Sequence, residues 1–263
     1  MPLSLKLVKA VRDIGVNRGA TGPHFMECDD GLTYLVKFSG GSRAAVNEFI
    51  GQTLARAVVL PTPNSALVDL SAELIAHSSD LRNRAIPPGL HQGSEVVANS
   101  SDLSELERRH RRLDEELVNA EVLPGTVCLD NWLLTEDRDR VENHLIQAVP
   151  GGFRYYMVDF THSFTGPNWT ADSLDQGSFV RILVPTEPQV AASVRGLHSL
   201  ESMMKRIEAV GDTKIEETVA AIPGAWSVSE EERQVLVRFL ELRRGLLRGV
   251  LTSNASRFPN WIG

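Results

Sequence analysis

The residues of this sequence that are best suited to chemistry lie in two short segments, 135-TEDRDRVENHLI-146 and 155-YYMVDFTHSF-164. The first is a polar run of acids, arginines and Asn143 that leads into an apolar strand, and the second is a strand that ends in a lone aspartate, Asp159. Carboxylate and carboxamide oxygens brought to one place are the ligands that Mg²⁺ takes beside nucleotide phosphates. The pattern favours such a site over its alternative, a charged surface loop followed by a strand-end Asp.

The polar run offers two aspartates for the carboxylate that would face an acceptor hydroxyl. Asp137 directly follows the transition from helix to loop after 129-LDNWLLTE-136, from which a carboxylate can point into a cleft. Asp139 stands between Arg138 and Arg140, where an ion pair that stabilises the loop is the simpler interpretation. We therefore expect Asp137 to face the acceptor.

A phosphate-binding lysine and its partner are candidates in the first quarter of the chain. Lys37 is flanked by apolar residues near the end of a strand, 34-YLVKF-38, and Glu48 lies on the helix that follows. Glu48 could hold the Lys37 ammonium toward the α- and β-phosphates, as kinases require. The turn 18-RGATGPH-24 contains Gly19 and Gly22, which would let backbone N–H groups approach phosphate oxygens. An ordinary turn remains the alternative for these two glycines.

Secondary-structure signals place these residues on strands, helices and loops. The pattern predicts a strand over 3–15, a hairpin over 24–38 that turns at Asp30-Gly31, and a helix over 43–59. Extended structure over 60–71 and a Pro- and Gly-broken connection over 73–97 follow. The later elements are a charged helix over 101–121, a helix over 126–134, a hairpin of 144–149 with 155–160, and a Ser-capped helix over 229–251.

Composition sets limits on the class of protein. The 263 residues are 42% hydrophobic and 23% charged, which is typical of a globular protein with more than one lobe or domain. A net charge of -7 argues against nucleic-acid binding through a broad basic surface. Cys28 and Cys128 lie far apart, and no apolar run approaches the ~20 residues of a membrane span. We therefore expect a cytoplasmic protein with reduced thiols that binds neither membrane nor nucleic acid.

The order of the motifs resembles that of the HipA-like kinases, within the wider group of protein kinases and phosphatidylinositol kinases. The matching pieces cover most of the chain and are YLVKF, VNEFIGQTLARAVVLPTPNSALV, LDNWLLTEDRDRVENHLI, VDFTHSF, AIPGAWSVSEEERQVLVRFLELRR and FPNW. By this resemblance Lys37 corresponds to the phosphate-binding lysine and Asp137 to the catalytic aspartate. Asn143 and Asp159 correspond to the metal ligands.

The resemblance also implies an architecture and a reaction. The fold would be α+β and bilobal, like that of protein kinases, with a small β-rich N-lobe over 1–88 and a mainly helical C-lobe over 89–263. The cofactors would be ATP and Mg²⁺, and the expected acceptor is a Ser or Thr hydroxyl of a protein.

Two departures from the family pattern keep another function open. Kinases of this group place the metal-binding Asn five residues after the catalytic Asp, whereas Glu142 stands there and Asn143 follows it. Either the loop holds an extra residue, or Glu142 is a ligand, or activity is impaired. Thr161 occupies the position of the usual glycine. The alternative is therefore a pseudokinase that binds nucleotide or a partner without turnover. A kinase of lipids or small metabolites is disfavoured, because no basic amphipathic segment indicates a membrane acceptor.

Overall fold

The structure is a computed structural model that describes residues 6–17, 22–108 and 111–262. The described strands are β1 (Leu7–Val16), β2 (His24–Cys28), β3 (Thr33–Lys37), β4 (Ser65–Leu70), β5 (Gly89–Glu95), β6 (Ser100–Asp102), β7 (His144–Val149) and β8 (Gly152–Met157). The described α-helices are α1 (Ala44–Ala57), α2 (Ala72–His77), α3 (Ser79–Asn83), α4 (Ser104–Arg108), α5 (Leu113–Glu116), α6 (Leu123–Leu133), α7 (Ala171–Gly177), α8 (Pro188–Ala192), α9 (Leu197–Glu208), α10 (Asp212–Ala220) and α11 (Glu230–Ser253). The fold is mixed α/β.

The first five strands close into a barrel in the order β1-β2-β3-β5-β4. The predicted hairpin is confirmed: β2 and β3 are antiparallel, with His24 opposite Val36, and Gly31 has the positive φ that suits its turn. Alternate residues of β3, Tyr34 and Val36, are fully buried inside the barrel. This alternation sets the direction of Lys37 at the strand's end.

The segment 73–97, which the sequence predicts to be an irregular connection, has regular secondary structure of its own. It contains α2 and α3 and then β5, which is antiparallel to both β3 and β4 and so closes the barrel. Lys37 lies opposite Gln92 of β5. Because β5 begins at Gly89, the strand that completes the barrel starts just past the predicted lobe boundary, and the division at residue 88 stays a prediction.

The remaining sheet has the order β6-β7-β8 and carries the two chemical segments. The predicted hairpin is present as antiparallel β7 and β8, with His144 opposite Met157. Its second strand spans Gly152–Met157 rather than 155–160, so Asp159 lies beyond the end of the strand. The predicted helix over 101–121 is wrong. Residues 100–102 instead pair with β7 as β6, and the α-helical residues among those described in this stretch are those of α4 and α5. Pairing with a distant strand here overrides the local charge and leucine pattern.

Helices α6 and α11 pack against each other, and their apolar side chains share one core with those of β7 and β8. The side chain of Trp132 in α6 is buried and donates from Nε1 to the carbonyl oxygen of Leu240 in α11 at 2.8 Å. The predicted start of α11 is confirmed, because Ser229 and Glu232 form a reciprocal capping box. Helix α1 approaches the end of the β7–β8 hairpin closely: a Cβ atom at Gly51 would lie 2.3 Å from Cγ of Phe160. Glycine at this position therefore lets α1 pack against the segment that follows β8.

Candidate active site

The ammonium group of Lys37 joins three elements of the fold at one point. Its Nζ donates to Oε2 of Glu48 at 2.7 Å, to Oδ1 of Asp159 at 2.8 Å and to Oγ1 of Thr161 at 2.8 Å. Lys37 is thus brought together with two of the predicted site residues, Glu48 and Asp159. The third acceptor, Thr161, was not predicted from the sequence, although it occupies the position of the usual glycine. An ammonium has three N–H donors, so all of them are used.

The charges in this cluster stabilise one another. Burial alone would lower the pKa of Lys37, but the carboxylates of Asp159 and Glu48 raise it above its ordinary value. Burial would raise the pKa of Asp159, yet the Lys37 charge and hydrogen bonds from Lys37 and Thr161 lower it well below the usual range. Both groups therefore stay charged at neutral pH. The cluster holds a fixed cation and a fixed carboxylate beside each other.

Glu48 is held from both sides of its carboxylate. Oε2 accepts from Lys37 and also from the backbone N–H of Phe160 at 3.0 Å. Oε1 accepts from Nε2 of Gln52, one turn further along α1, at 2.6 Å. Because Glu48 is 2% exposed, these partners are what make its burial tolerable. Helix α1 is thereby joined to the strand that carries Lys37 and to the segment after β8.

Asn143 turns inward, whereas its neighbour Glu142 is exposed. Residues Val141–Asn143 form a 3₁₀ turn. Nδ2 of Asn143 donates to the carbonyl oxygen of Asp137 at 2.8 Å. A carbonyl accepts only, so the contact fixes the amide orientation and leaves the carboxamide oxygen for another partner. In the described structure Oδ1 of Asp137 is buried without a hydrogen-bond partner.

Arg138, which no sequence pattern marks as a site residue, organises the loop between Asp137 and Asn143. Its guanidinium is fully buried and donates to Oδ1 of Asp130 at 3.0 Å. It also donates to the carbonyl oxygens of Asn143 at 2.7 Å, Val158 at 2.5 Å and Asp159 at 3.1 Å. One side chain therefore holds both candidate metal-ligating residues through their backbone.

The predicted ion pair of Asp139 with a neighbouring arginine is not what stabilises this loop. Arg138 instead pairs with Asp130 of α6, eight residues earlier, and Asp139 is exposed. A buried guanidinium needs a buried counter-charge, which an exposed carboxylate cannot supply. Burial raises the pKa of Asp130 to about 7, although the Arg138 charge acts to lower it.

The glycine turn is only partly described. Gly19 lies outside the described residues. Gly22 has a φ of +56°, and a Cβ atom there would lie 2.9 Å from Nη1 of Arg84. The same Nη1 donates to the carbonyl oxygen of Gly22. Gly22 thus faces Arg84, and its contact with a nucleotide stays a prediction.

An open cavity of about 340 Å³ lies beside Lys37. It is lined by Lys37, Phe38, Gly40, Ser42, Ala44, Arg84, Ile86, Pro167 and Asn168. A larger cavity of about 930 Å³ lies between β1 and the α2–α3 region, and none of the charged Lys37 cluster lines it. Of the cluster, Lys37 lines the smaller cavity, so a ligand bound there could reach the Lys37 ammonium.

The oxygen atoms of the candidate ligands suit a hard cation such as Mg²⁺ that takes its remaining ligands from phosphates and water. Within residues 6–17, 22–108 and 111–262, no group of three or more His, Cys, Asp or Glu side chains is placed to hold a metal ion. Asn143 and Asp159 supply a carboxamide and a carboxylate oxygen, and Mg²⁺ is commonly held by one or two protein oxygens together with phosphates and water. The residues present fit Mg²⁺ bound with a nucleotide better than a metal site made by protein alone.

Comparisons with known proteins agree with the sequence resemblance. A family model described as HipA-like kinase matches residues 10–250. No curated protein sequence matches the chain. In the described part of the chain, no helix is both long and apolar enough to cross a bilayer.

Similar solved structures include two with a TM-score above 0.5. The Helicobacter pylori proinflammatory kinase CtkA has a TM-score of 0.61 at 11% identity, over 91% of this chain and 94% of CtkA. Fam20 of hydra, solved with sugar, has a TM-score of 0.52 at 11% identity, over 97% of this chain and 89% of Fam20. At such identities the likeness shows a shared fold.

Proposed function

Because the chain belongs to the HipA-like kinase family, we propose that it transfers the γ-phosphoryl group of ATP to a Ser or Thr hydroxyl of a protein in the presence of Mg²⁺. The observation that carries this proposal is the Lys37 cluster, in which a buried ammonium lies within 2.8 Å of Glu48, Asp159 and Thr161. Positioning and electrostatic stabilisation are most of what phosphoryl transfer requires of a protein. A fixed cation at the edge of an open cavity supplies both.

Lys37 would bind the α- and β-phosphates in this function. Its three donors are all used in the structure, so a phosphate oxygen takes the place of one acceptor. Glu48 keeps the ammonium in place, since Gln52 and the Phe160 N–H hold its carboxylate independently of Lys37. Lys37 therefore remains oriented while its other partners exchange.

Asn143 and Asp159 would hold Mg²⁺, which when bound neutralises charge on the phosphates. The Asn143 carboxamide oxygen and the Asp159 carboxylate are the donor atoms, and Arg138 fixes the backbone of both residues. Asp137 would accept the proton of the attacking hydroxyl. Its Oδ1 has no hydrogen-bond partner among the described residues, so this oxygen is not committed to another contact.

The acceptor and the surroundings of the protein belong to the proposal as well. A net charge of -7 argues against a broad basic surface, so we place no nucleic acid among its direct partners. Cys28 and Cys128 are both buried free thiols, in keeping with a reducing compartment such as the cytoplasm.

The proposal is tested by incubating the purified chain with radiolabelled ATP, Mg²⁺ and a mixture of candidate proteins. Wild type should transfer label to an acceptor or to itself. Lys37→Ala should lose transfer because the phosphates are no longer positioned. Lys9→Ala, which removes an exposed lysine of β1, is the matched control and should be as active as wild type. Transfer by Lys37→Ala at the wild-type rate would refute the role of the cluster. Nucleotide binding without any transfer would favour the pseudokinase.

A further inference from the structure

Asn47, one residue before Glu48 on α1, has an unusual set of partners for a single buried amide. Its Nδ2 contacts the carbonyl oxygens of Thr161 at 2.7 Å, Ser163 at 3.0 Å and Gly166 at 3.1 Å. Its Oδ1 accepts from the indole N–H of Trp169 at 2.7 Å. The indole donates only and carbonyls accept only, so this orientation of the amide is the one the partners allow. Asn47 is 0% exposed.

The segment that Asn47 holds has an uncommon backbone conformation. Positive φ angles occur at Asp159 (59°), Phe164 (65°) and Thr165 (92°), none of which is glycine. Such conformations cost free energy and persist where the surrounding contacts enforce them. Asn47 makes its contacts on both sides of Phe164 and Thr165, at Ser163 and Gly166. Its amide is therefore well placed to maintain the positive φ angles of Phe164 and Thr165.

The same segment carries the groups that face Lys37. Thr161 donates from its backbone N–H to Oδ1 of Asp159 at 3.1 Å and accepts from Lys37 through Oγ1 at 2.8 Å. Its carbonyl oxygen is the one that lies nearest to the Asn47 amide. A short chain of contacts thus runs from Asn47 through Thr161 to Lys37 and Asp159.

We propose that Asn47 is a positioning residue, which fixes the segment 161–166 on α1 and thereby keeps Thr161, Lys37 and Asp159 in the arrangement that binds MgATP. This inference rests on the proposed function. The further claim is that the segment 161–166 stays packed on α1 whether or not nucleotide is bound. Thr161 and Ser163 are at most 3% exposed, so modification of their hydroxyls would require the segment to leave α1 first.

The test compares Asn47→Asp with Trp169→Phe. Asn47→Asp removes the N–H donors to the three carbonyls but keeps an acceptor for the indole. Trp169→Phe removes the indole donor and keeps a smaller aromatic ring beside Arg43. MgATP affinity is measured by calorimetry well below both melting temperatures, and amide hydrogen exchange is followed over 160–166 without nucleotide. If Asn47→Asp does not fold, Asn47→Ala, which leaves room for water, replaces it.

We expect Asn47→Asp to weaken MgATP binding by about tenfold or more, the effect of leaving buried carbonyls without donors near the ligand. Exchange should rise at the N–H groups of Phe164 and Gly166, while Trp169→Phe stays within about twofold of wild type in affinity. A folded Asn47→Asp with wild-type affinity and unchanged exchange would overturn the proposal, whatever its melting temperature. If wild type itself binds no nucleotide, the proposed function fails, and hydrogen exchange alone decides whether Asn47 holds the segment.

Discussion

Replacing Arg138 by methionine should test how the loop between Asp137 and Asn143 is held. Arg138 is fully buried, and its guanidinium bonds Asp130 and three backbone carbonyls, those of Asn143, Val158 and Asp159. Methionine fills similar volume but donates no hydrogen bond. The variant therefore leaves one carboxylate and three carbonyl oxygens without this donor.

The expected loss of stability follows from these contacts. Removing one partner of a buried ion pair costs about 3–5 kcal/mol, because the other charge is left uncompensated. Burial already raises the pKa of Asp130 to about 7 with Arg138 present, and removing the positive charge raises it further. A carboxyl whose pKa is raised on folding loses stability as pH rises from its unfolded value through its folded value. In wild type this loss is complete near pH 7. In Arg138→Met it continues to higher pH, so the difference between the two proteins should grow above neutrality.

Urea denaturation of wild type and Arg138→Met at about pH 6 and about pH 8 measures this difference. Arg140→Met, an exposed neighbour in the same loop, is the control and should change the free energy of unfolding by at most about 0.5 kcal/mol. A loss below about 1 kcal/mol for Arg138→Met at both pH values would refute the structural role assigned to Arg138.

Three further predictions concern individual side chains. Asp137→Asn should reduce phosphoryl transfer by orders of magnitude and leave ATP affinity nearly unchanged. Asp139→Asn should leave transfer intact. The opposite pattern in a radiolabel assay would assign the acceptor-facing role to Asp139. Asp159→Asn should lose the thermal stabilisation that ATP with Mg²⁺ gives to wild type, and an equal shift in the two proteins would remove Asp159 from the site. Burial, aided by the Arg138 charge, lowers the pKa of His144 to about 3, so the unfolded chain takes up a proton first and stability falls as pH drops below about 6.5. His144→Gln should therefore lose less stability than wild type between about pH 7 and pH 5 in urea denaturation, and an equal loss would contradict the shift.

Sequence patterns predicted correctly those elements that depend on interactions between residues close together in the chain. The helix over 43–59 is confirmed as α1, and the Asp30-Gly31 hairpin is confirmed because its turn demands those residue types. The stretch 101–121 failed for the opposite reason. Its first residues, Ser101 and Asp102, pair with β7 more than forty positions away, which no period of charges or leucines reveals.

The residues of the candidate site likewise fall into those that the sequence predicts and those that depend on contacts between distant segments. Residue type and order pointed to Lys37 and Asp159, and the structure joins them across 122 positions of sequence. Asn47 and Arg138 act through backbone carbonyls of other segments, and a carbonyl has no signature in the sequence. The departure of Thr161 from the usual glycine was the one available signal for that residue.

A crystal structure with a non-hydrolysable ATP analogue and Mg²⁺ tests the central claim most directly. We expect the phosphates in the cavity beside Lys37, with Nζ of Lys37 on a phosphate oxygen and one metal ion shared by Asn143 and Asp159. Nucleotide bound elsewhere, for instance in the larger cavity between β1 and α2–α3, or a metal ion that contacts neither Asn143 nor Asp159, would contradict it.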